Sequence, residues 1–293
     1  MKKKLLMLIA LSLSVVMLFS GCTTISDESS TSKSSNTSTE SDNSTGEVVD
    51  NTFKVGLEAG YAPFNWTQLD NSNGAVKIKG AAEYAGGYDV EIAKLIAESL
   101  GKELVIVKTE WDGLIPALTS GKIDAIIAGM SPTAERKESI DFSDIYYTSD
   151  LVIVVKKGGK YDGATSLQDF NGAKITAQLN TFHYTVIDQI QGVQKKTAMD
   201  NFPAMRVALE SGIIDGYVSE RPEGISAQTA NDNFKMIELQ TGFQTSPDDT
   251  AIAVGVKKGS ELTEKINNAL SKITEQQRKE LMDNAIKNQP AFE

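Results

Sequence analysis

The chain has 293 residues, 40% of them hydrophobic, enough apolar material for one large core or two modest ones without staples. A formal net charge of −10 excludes a broad nucleic-acid or anionic-membrane surface, because either partner would be repelled over most of the molecule's face. One cysteine, one histidine and no Gly-rich phosphate loop leave little for metal, nucleophilic or phosphoryl chemistry, so no cofactor and no catalytic role are expected.

The first residues, "MKKKLLMLIALSLSVVMLFSGC", place Lys2, Lys3 and Lys4 ahead of an apolar run, Leu5 to Phe19, that is too short to span a bilayer comfortably. This reads as a secretory signal over 1–21. Cys22 after Ser20-Gly21 resembles the lipobox of bacterial lipoproteins, which implies acylation of the thiol, palmitate included, and a membrane anchor on the extracellular face of a Gram-positive type surface. Residues 22–51 are rich in Ser and Thr and poor in apolar side chains, so burial cannot offset their ordering entropy; they read as a tether.

From Phe53 onward, short β-rich runs alternate with helical periods, the pattern of an α/β fold. The predicted strands are "FKVGL", "ELVIVK", "IDAIIA", "LVIVVK", "AKITAQ", "IIDGYV", "FKMIEL" and "TAIAVGV". The segment "YDVEIAKLIAESLG" spaces Ile92, Leu95, Ile96 and Leu100 as a helix packed on a sheet and stopped by Gly101. Two stretches repeat one design: "ALTSGKIDAIIAG" (117–129) and "ALESGIIDGYVSE" (208–220) each read as helix end, Ser-Gly turn, then strand. Two similarly built halves follow from that register. Ligands of open α/β sheets sit beyond the carboxyl ends of strands, which directs attention to Gly129, Ser131 and Glu220. Ser131 is expected to cap a helix whose first position is Pro132, with Arg136 adding a planar fork of donors; together they suit a carboxylate. Spacing alone leaves Arg136 equally readable as a surface arginine, and Glu220 as a solvated neighbour of Arg221.

Together "VGLEAGYAPFNW", "AGGYDVEIAKLIAESLG", "WDGLIPALTSGKIDAIIAGMSPTAERKESIDFSDIYY", "AQLNTF" and "DGYVSE" resemble the polar amino-acid solute-binding proteins of ABC importers, the family 3 extracellular solute-binding proteins. The resemblance implies a two-lobed type II periplasmic binding protein fold with two hinge crossings: lobe one over 52–148 and 246–293, lobe two over 149–245. It also implies closure over one L-amino acid, a permease and ATPase as partners, and a monomer. Carried onto this sequence, Arg136 resembles the arginine that pairs with the ligand carboxylate, beside Gly129 and Ser131, with Thr181 reaching from lobe two. Glu220 stands where relatives usually have Asp for the α-ammonium, and "QLNT" departs from the commoner Gln-Leu-Gly-Thr.

Specificity is expected at the other end of the ligand. Glu58 follows the first strand near Tyr61, Phe64 and Trp111; Tyr61 and Trp111 are expected to sandwich a planar cation with Glu58 at its tip, and Gln178 to add a polar contact. Two acids, one arginine and aromatic walls favour a cationic ligand, arginine ahead of lysine, ornithine or histidine. A glutamine binder and a dehydratase-like enzyme on the same fold are the alternatives. His183, just after Thr181, either lines the cleft or faces solvent.

Overall fold

The computed structural model describes residues 51–291, so the expected signal segment, Cys22 and nearly all of the tether lie outside the described residues. The expected α/β architecture is present, as two five-stranded sheets and one small antiparallel sheet. In the first sheet, Glu103–Lys108, Thr52–Leu57 and Ala125–Ile126 run parallel, followed by Ala251–Lys257 and Ile140–Thr148 in antiparallel pairings. The second sheet repeats the plan: Gln194–Lys195, Lys174–Thr176 and Gly216–Glu220 are parallel, then Leu151–Lys156 and Phe234–Ile237 antiparallel. The chain passes from first to second sheet at Ser149-Asp150 and returns ahead of Ala251. The two crossings touch, since the Ser149 amide donates to the Thr250 carbonyl at 3.0 Å.

The internal repeat has a physical basis. Helices Leu114–Thr119 and Phe202–Glu210 both end in a Ser-Gly turn, with Gly121 at φ 79° and Gly212 at φ 75°, a left-handed conformation that glycine adopts without steric penalty. Two residues after each lysine or isoleucine that follows, an aspartate accepts a backbone N–H from the neighbouring parallel strand: Lys54 N to Asp124 Oδ2 at 2.8 Å, and Lys174 N to Asp215 Oδ2 at 2.9 Å. The aspartate fixes the register at which each repeat strand joins its sheet.

The predicted helix spans Tyr88–Leu100, with Asp89 and Glu91 in its first turn complementing the dipole. Gly101 ends it at φ 65°, its N–H reaching the Ala97 and Glu98 carbonyls. Val90, Ile92, Ala93 and Ile96 are fully buried, whereas Leu95, expected on the same face, is 37% exposed on the flank. Strand Ile140–Thr148 was not expected, because Asp141 and Asp144 break its apolar alternation; as an edge strand it carries them toward solvent. "IDAIIA" contributes only Ala125–Ile126 as strand. The C-terminal segment forms helix Glu275–Asn288, begun by a capping box between Thr274 and Gln277.

Candidate functional site

The carboxyl ends of the parallel strands supply the predicted residues. Glu58 follows Thr52–Leu57, Trp111 follows Glu103–Lys108 and Gly129 follows Ala125–Ile126; from the second sheet, Gln178 follows Lys174–Thr176 and Glu220 ends Gly216–Glu220. Side chains from the two sheets meet directly. Tyr61 Oη donates to Glu220 Oε2 at 2.6 Å, and Gln178 Nε2 donates to Glu58 Oε2 at 2.9 Å. All four residues are buried. The second oxygens of both carboxylates, Glu58 Oε1 and Glu220 Oε1, are buried without a hydrogen-bond partner. That arrangement is costly unless something donates to them.

Arg136 is the cation of the site. Its Nη1 donates to the Ser131 carbonyl at 2.9 Å and its Nη2 to the Asn180 carbonyl, across from the second sheet, at 3.1 Å. The guanidinium carbon lies 5.0 Å from the Trp111 ring centroid, a cation–π geometry. Burial pulls this guanidinium down to about 10, against the opposing pull of Glu135, Glu220 and Asp249, so it is charged at neutral pH. A cleft of about 790 Å³ opens here, lined among others by Trp111, Arg136, Asn180, Thr181 and Phe182. Thr181 Oγ1 donates to the Gln178 carbonyl at 2.7 Å, tying the second-sheet loop together.

Glu58 is strongly perturbed by its surroundings. Burial pushes its carboxyl up to about 7; the charges of Glu110 and Asp89 add to this, while the Gln178 bond and Lys108 oppose it. Gly129 has φ 63°, and a Cβ there would lie 2.6 Å from Tyr61 Cε1, so the backbone must pass directly against the tyrosine ring.

Two expectations are corrected. Ser131 does not cap a helix starting at Pro132: the helix is Ala134–Ser139, capped by Thr133, whose hydroxyl accepts from the Arg136 amide at 3.4 Å. Ser131 instead donates to the Asp249 carbonyl at 2.8 Å, because Pro132 keeps the chain extended for one residue more and Thr133 is the next side chain able to cap. Nor is the Tyr61 ring free to sandwich a planar cation with Trp111 and Glu58 at its tip, since Phe64 and Phe202 both lie against it. Phe202 stacks on Tyr61 at 4.3 Å and 11°, Trp111 faces Arg136, and Glu58 pairs with Gln178.

Sequence reasoning missed several participants. Phe202 gave no signal beyond an apolar helix start. Asn180 sits at φ 54° and donates to Asp112 Oδ1 at 2.9 Å across the cleft rim. Asn is among the few non-glycine residues that tolerate this region, which accounts for "QLNT" in place of Gln-Leu-Gly-Thr. Asp89 is wholly buried, accepting from Asn65 Nδ2 at 2.8 Å and Tyr146 Oη at 2.7 Å, and its hydrogen bond to the Gly129 backbone steadies the glycine loop. His183 is buried, not solvent-facing, with Nε2 3.5 Å from Glu220 Oε1.

A family model for bacterial extracellular solute-binding proteins, family 3, matches residues 53–287. The arginine-binding extracellular protein ArtP of Bacillus subtilis (strain 168) is 29% identical over 236 residues, 75% of this chain and 79% of that one. Among solved structures, the amino acid ABC transporter substrate-binding protein AbpA of Streptococcus pneumoniae, bound to L-arginine, superposes with a TM-score of 0.69 at 28% identity, covering 81% of this chain and 95% of that chain. The ancestral amino acid-binding protein AncCDT-1, described as a precursor of cyclohexadienyl dehydratase, gives 0.65 at 29% identity over 80% of this chain and 96% of its own.

Proposed function

Because the chain belongs to family 3 of the bacterial extracellular solute-binding proteins, we propose that it captures a cationic L-amino acid, arginine first, and hands it to the permease and ATPase of an ABC importer. The observation that carries this reading is the pair of buried carboxylates on opposite sheets, Glu58 and Glu220, each with one oxygen unengaged, beside the charged Arg136. A zwitterion with a second positive charge supplies one partner to each: its carboxylate to Arg136, its α-ammonium to Glu220 and its guanidinium to Glu58. Gly129, Ser131 and Thr181 shape the carboxylate end, Trp111 holds the Arg136 guanidinium in plane, and Gln178 and Tyr61 orient the two acids. On this reading lobe one is 52–148 with 246–293, lobe two is 149–245, and the lobes close as a monomer tethered through a lipidated Cys22 after removal of residues 1–21.

A neutral amide ligand such as glutamine is favoured by one specific feature: Glu58 Oε2 already accepts an amide N–H, that of Gln178, at 2.9 Å, and a carboxyl near 7 is partly neutral at neutral pH. A dehydratase-like activity is the reading that AncCDT-1 keeps open; ionic partners of the ligand explain Glu58 and Glu220 more economically than a general base does.

Calorimetric titration of the wild type and Glu58→Gln with arginine, lysine, histidine and glutamine tests the proposal. Arginine should rank first on the wild type and lose at least about tenfold, about 1.4 kcal/mol, on Glu58→Gln, while glutamine loses little. Glutamine outranking arginine on the wild type would overturn the cationic assignment and leave the amino-acid site standing.

A further inference from the structure

We infer that His183 is a specificity-determining residue of this site: its neutral imidazole is the second acceptor for the ligand's α-ammonium beside Glu220, and its protonation expels that ammonium. The inference rests on the amino-acid reading above. His183 belongs to the short helix Phe182–Val186, which the second-sheet loop Gln178-Leu179-Asn180-Thr181 leads into. It is 6% exposed, and neither ring nitrogen has a hydrogen-bond partner among the described residues. Its Nε2 lies 3.5 Å from Glu220 Oε1, too far for a good hydrogen bond, and that oxygen is equally unpartnered. The other oxygen of Glu220 is taken by Tyr61 Oη at 2.6 Å. An imidazole lone pair and a carboxylate oxygen, both buried and unengaged at this separation, form a cradle for a group with several N–H donors and one positive charge, which a primary ammonium is.

Among the described residues, Glu220 is the one acid paired with the ring. Of the elements packed against the helix, strand Gly216–Glu220 presents Glu220, and the turn Ile187–Gln189 presents Asp188, which is engaged by Lys195 at 2.9 Å. The Phe182 ring lies beside that of His183, tilted by 41° with 4.3 Å between centroids. Across the cleft, Tyr61 donates to Glu220, while Arg136, Asp89 and Tyr147 lie within Coulomb range of it. Imidazoles change charge between about pH 5 and 8. Once protonated, His183 is a cation 3.5 Å from Glu220: it pairs with the carboxylate itself, offers no acceptor and repels the ammonium. Affinity therefore falls as the pH drops. A secondary amine such as that of proline, with fewer N–H donors, fills the cradle less well at any pH.

Glu58, pushed up to about 7, and Asp89, pushed up to about 6, also change charge between about pH 5.5 and 8, so the experiment separates Glu58 by ligand and Asp89 by the His183 variants, which leave it in place. L-Citrulline has the shape of arginine with an uncharged side chain; the charge of Glu58 bears on it little, whereas its α-ammonium is the same. Dissociation constants for arginine and citrulline are measured at about pH 8 and about pH 5.5 on the wild type, His183→Gln, and both proteins in a Glu58→Gln background. The quantity read is the ratio of the two constants, which is insensitive to any affinity lost at both pH values alike. For citrulline the wild-type ratio should be at least about fivefold in favour of pH 8, persist in Glu58→Gln, and fall to about one with His183→Gln. His183→Asn serves as a second variant, with melting of each unliganded protein at both pH values as the check on folding. A wild-type citrulline ratio near one, or an undiminished ratio in folded His183→Gln and His183→Asn, overturns the inference while binding itself persists. No binding of either ligand at about pH 8 overturns the amino-acid reading and this inference with it.

Discussion

Glu58 carries a pH dependence whose sign follows from its burial. Its carboxyl moves from an ordinary 4.5 to about 7 on folding, chiefly because the charged form is desolvated. Folding therefore favours the protonated acid. Its stabilising contribution is complete below about 4.5 and is lost as the pH rises through about 7, with an upper size of about 3 kcal/mol. Asp89, pushed up to about 6, has the same sign. Without amino acids, Glu58→Gln should raise the melting temperature near pH 8 and bring little gain near pH 4.5. An equal gain at both values would remove Glu58 as the titrating group. Arg136 permits a blunter test at the same scale: Arg136→Ala should lose binding of every amino acid, on the order of 3 to 5 kcal/mol. Arg136→Lys should restore little, since a point charge cannot reach both the Ser131 and Asn180 carbonyls. Affinity within a few fold of wild type in Arg136→Ala would remove it from the site. The strand end before Glu58 and the Ser-Pro-Thr turn before Arg136 were legible locally, but spacing alone left Arg136 equally readable as a surface arginine, and only the resemblance of the surrounding segments to the family singled it out. Phe202 and Asp89 were not legible, because what places them against Tyr61 and Gly129 is tertiary packing.

At the level of elements, the repeat was the strongest signal in the sequence, and the structure gives it a function in assembly. Asp124 accepts the Lys54 amide, within strand Thr52–Leu57, and Asp215 the Lys174 amide, which begins strand Lys174–Thr176, so each half carries its own register lock. Asp124→Ala and Asp215→Ala should each destabilise by about 1 to 3 kcal/mol through the unsatisfied amide left behind, measurable as a lower denaturant midpoint with an unchanged slope. An unchanged midpoint for either variant would mean that water replaces the carboxylate freely. Strand Ile140–Thr148 shows the limit of pattern reading: its two aspartates look like loop residues until the antiparallel pairing with Ala251–Lys257, more than a hundred residues away in sequence, is known. The cap at Thr133 in place of Ser131 is the same lesson at shorter range. Both hydroxyls are competent, but Pro132 keeps the chain extended past Ser131, whose hydroxyl goes instead to the Asp249 carbonyl, 118 residues further along the sequence.

At the scale of the molecule, four side-chain bonds among the described residues cross between the sheets at the cleft: Tyr61 to Glu220, Gln178 to Glu58, Arg136 to the Asn180 carbonyl, and Asn180 to Asp112. A fifth set lies away from the cleft, where Ser226 meets Gln289 just beyond helix Glu275–Asn288. Each of the four cleft bonds has an ionisable side chain as one partner, and hydrogen bonds to charged groups contribute about 1.5 to 3 kcal/mol each, while the two buried carboxylates oppose closure for as long as their second oxygens lack donors. The two terms oppose one another, and a ligand that donates to both acids shifts the balance toward the closed form, since its differential affinity sets the size of the shift. Saturating arginine should reduce the radius of gyration in small-angle scattering, a hinge motion of the class the handling of ligands by periplasmic binding proteins exemplifies. Glu220→Gln, which keeps the shape but removes the charge facing the ammonium, should need far more arginine for the same compaction. Tyr61→Phe should lie between the two, because it removes one donor to Glu220 and no charge. Superimposable wild-type profiles with and without saturating arginine, alongside a calorimetric signal that proves occupancy, would show that binding proceeds without closure and that the cleft bonds hold the lobes together by themselves.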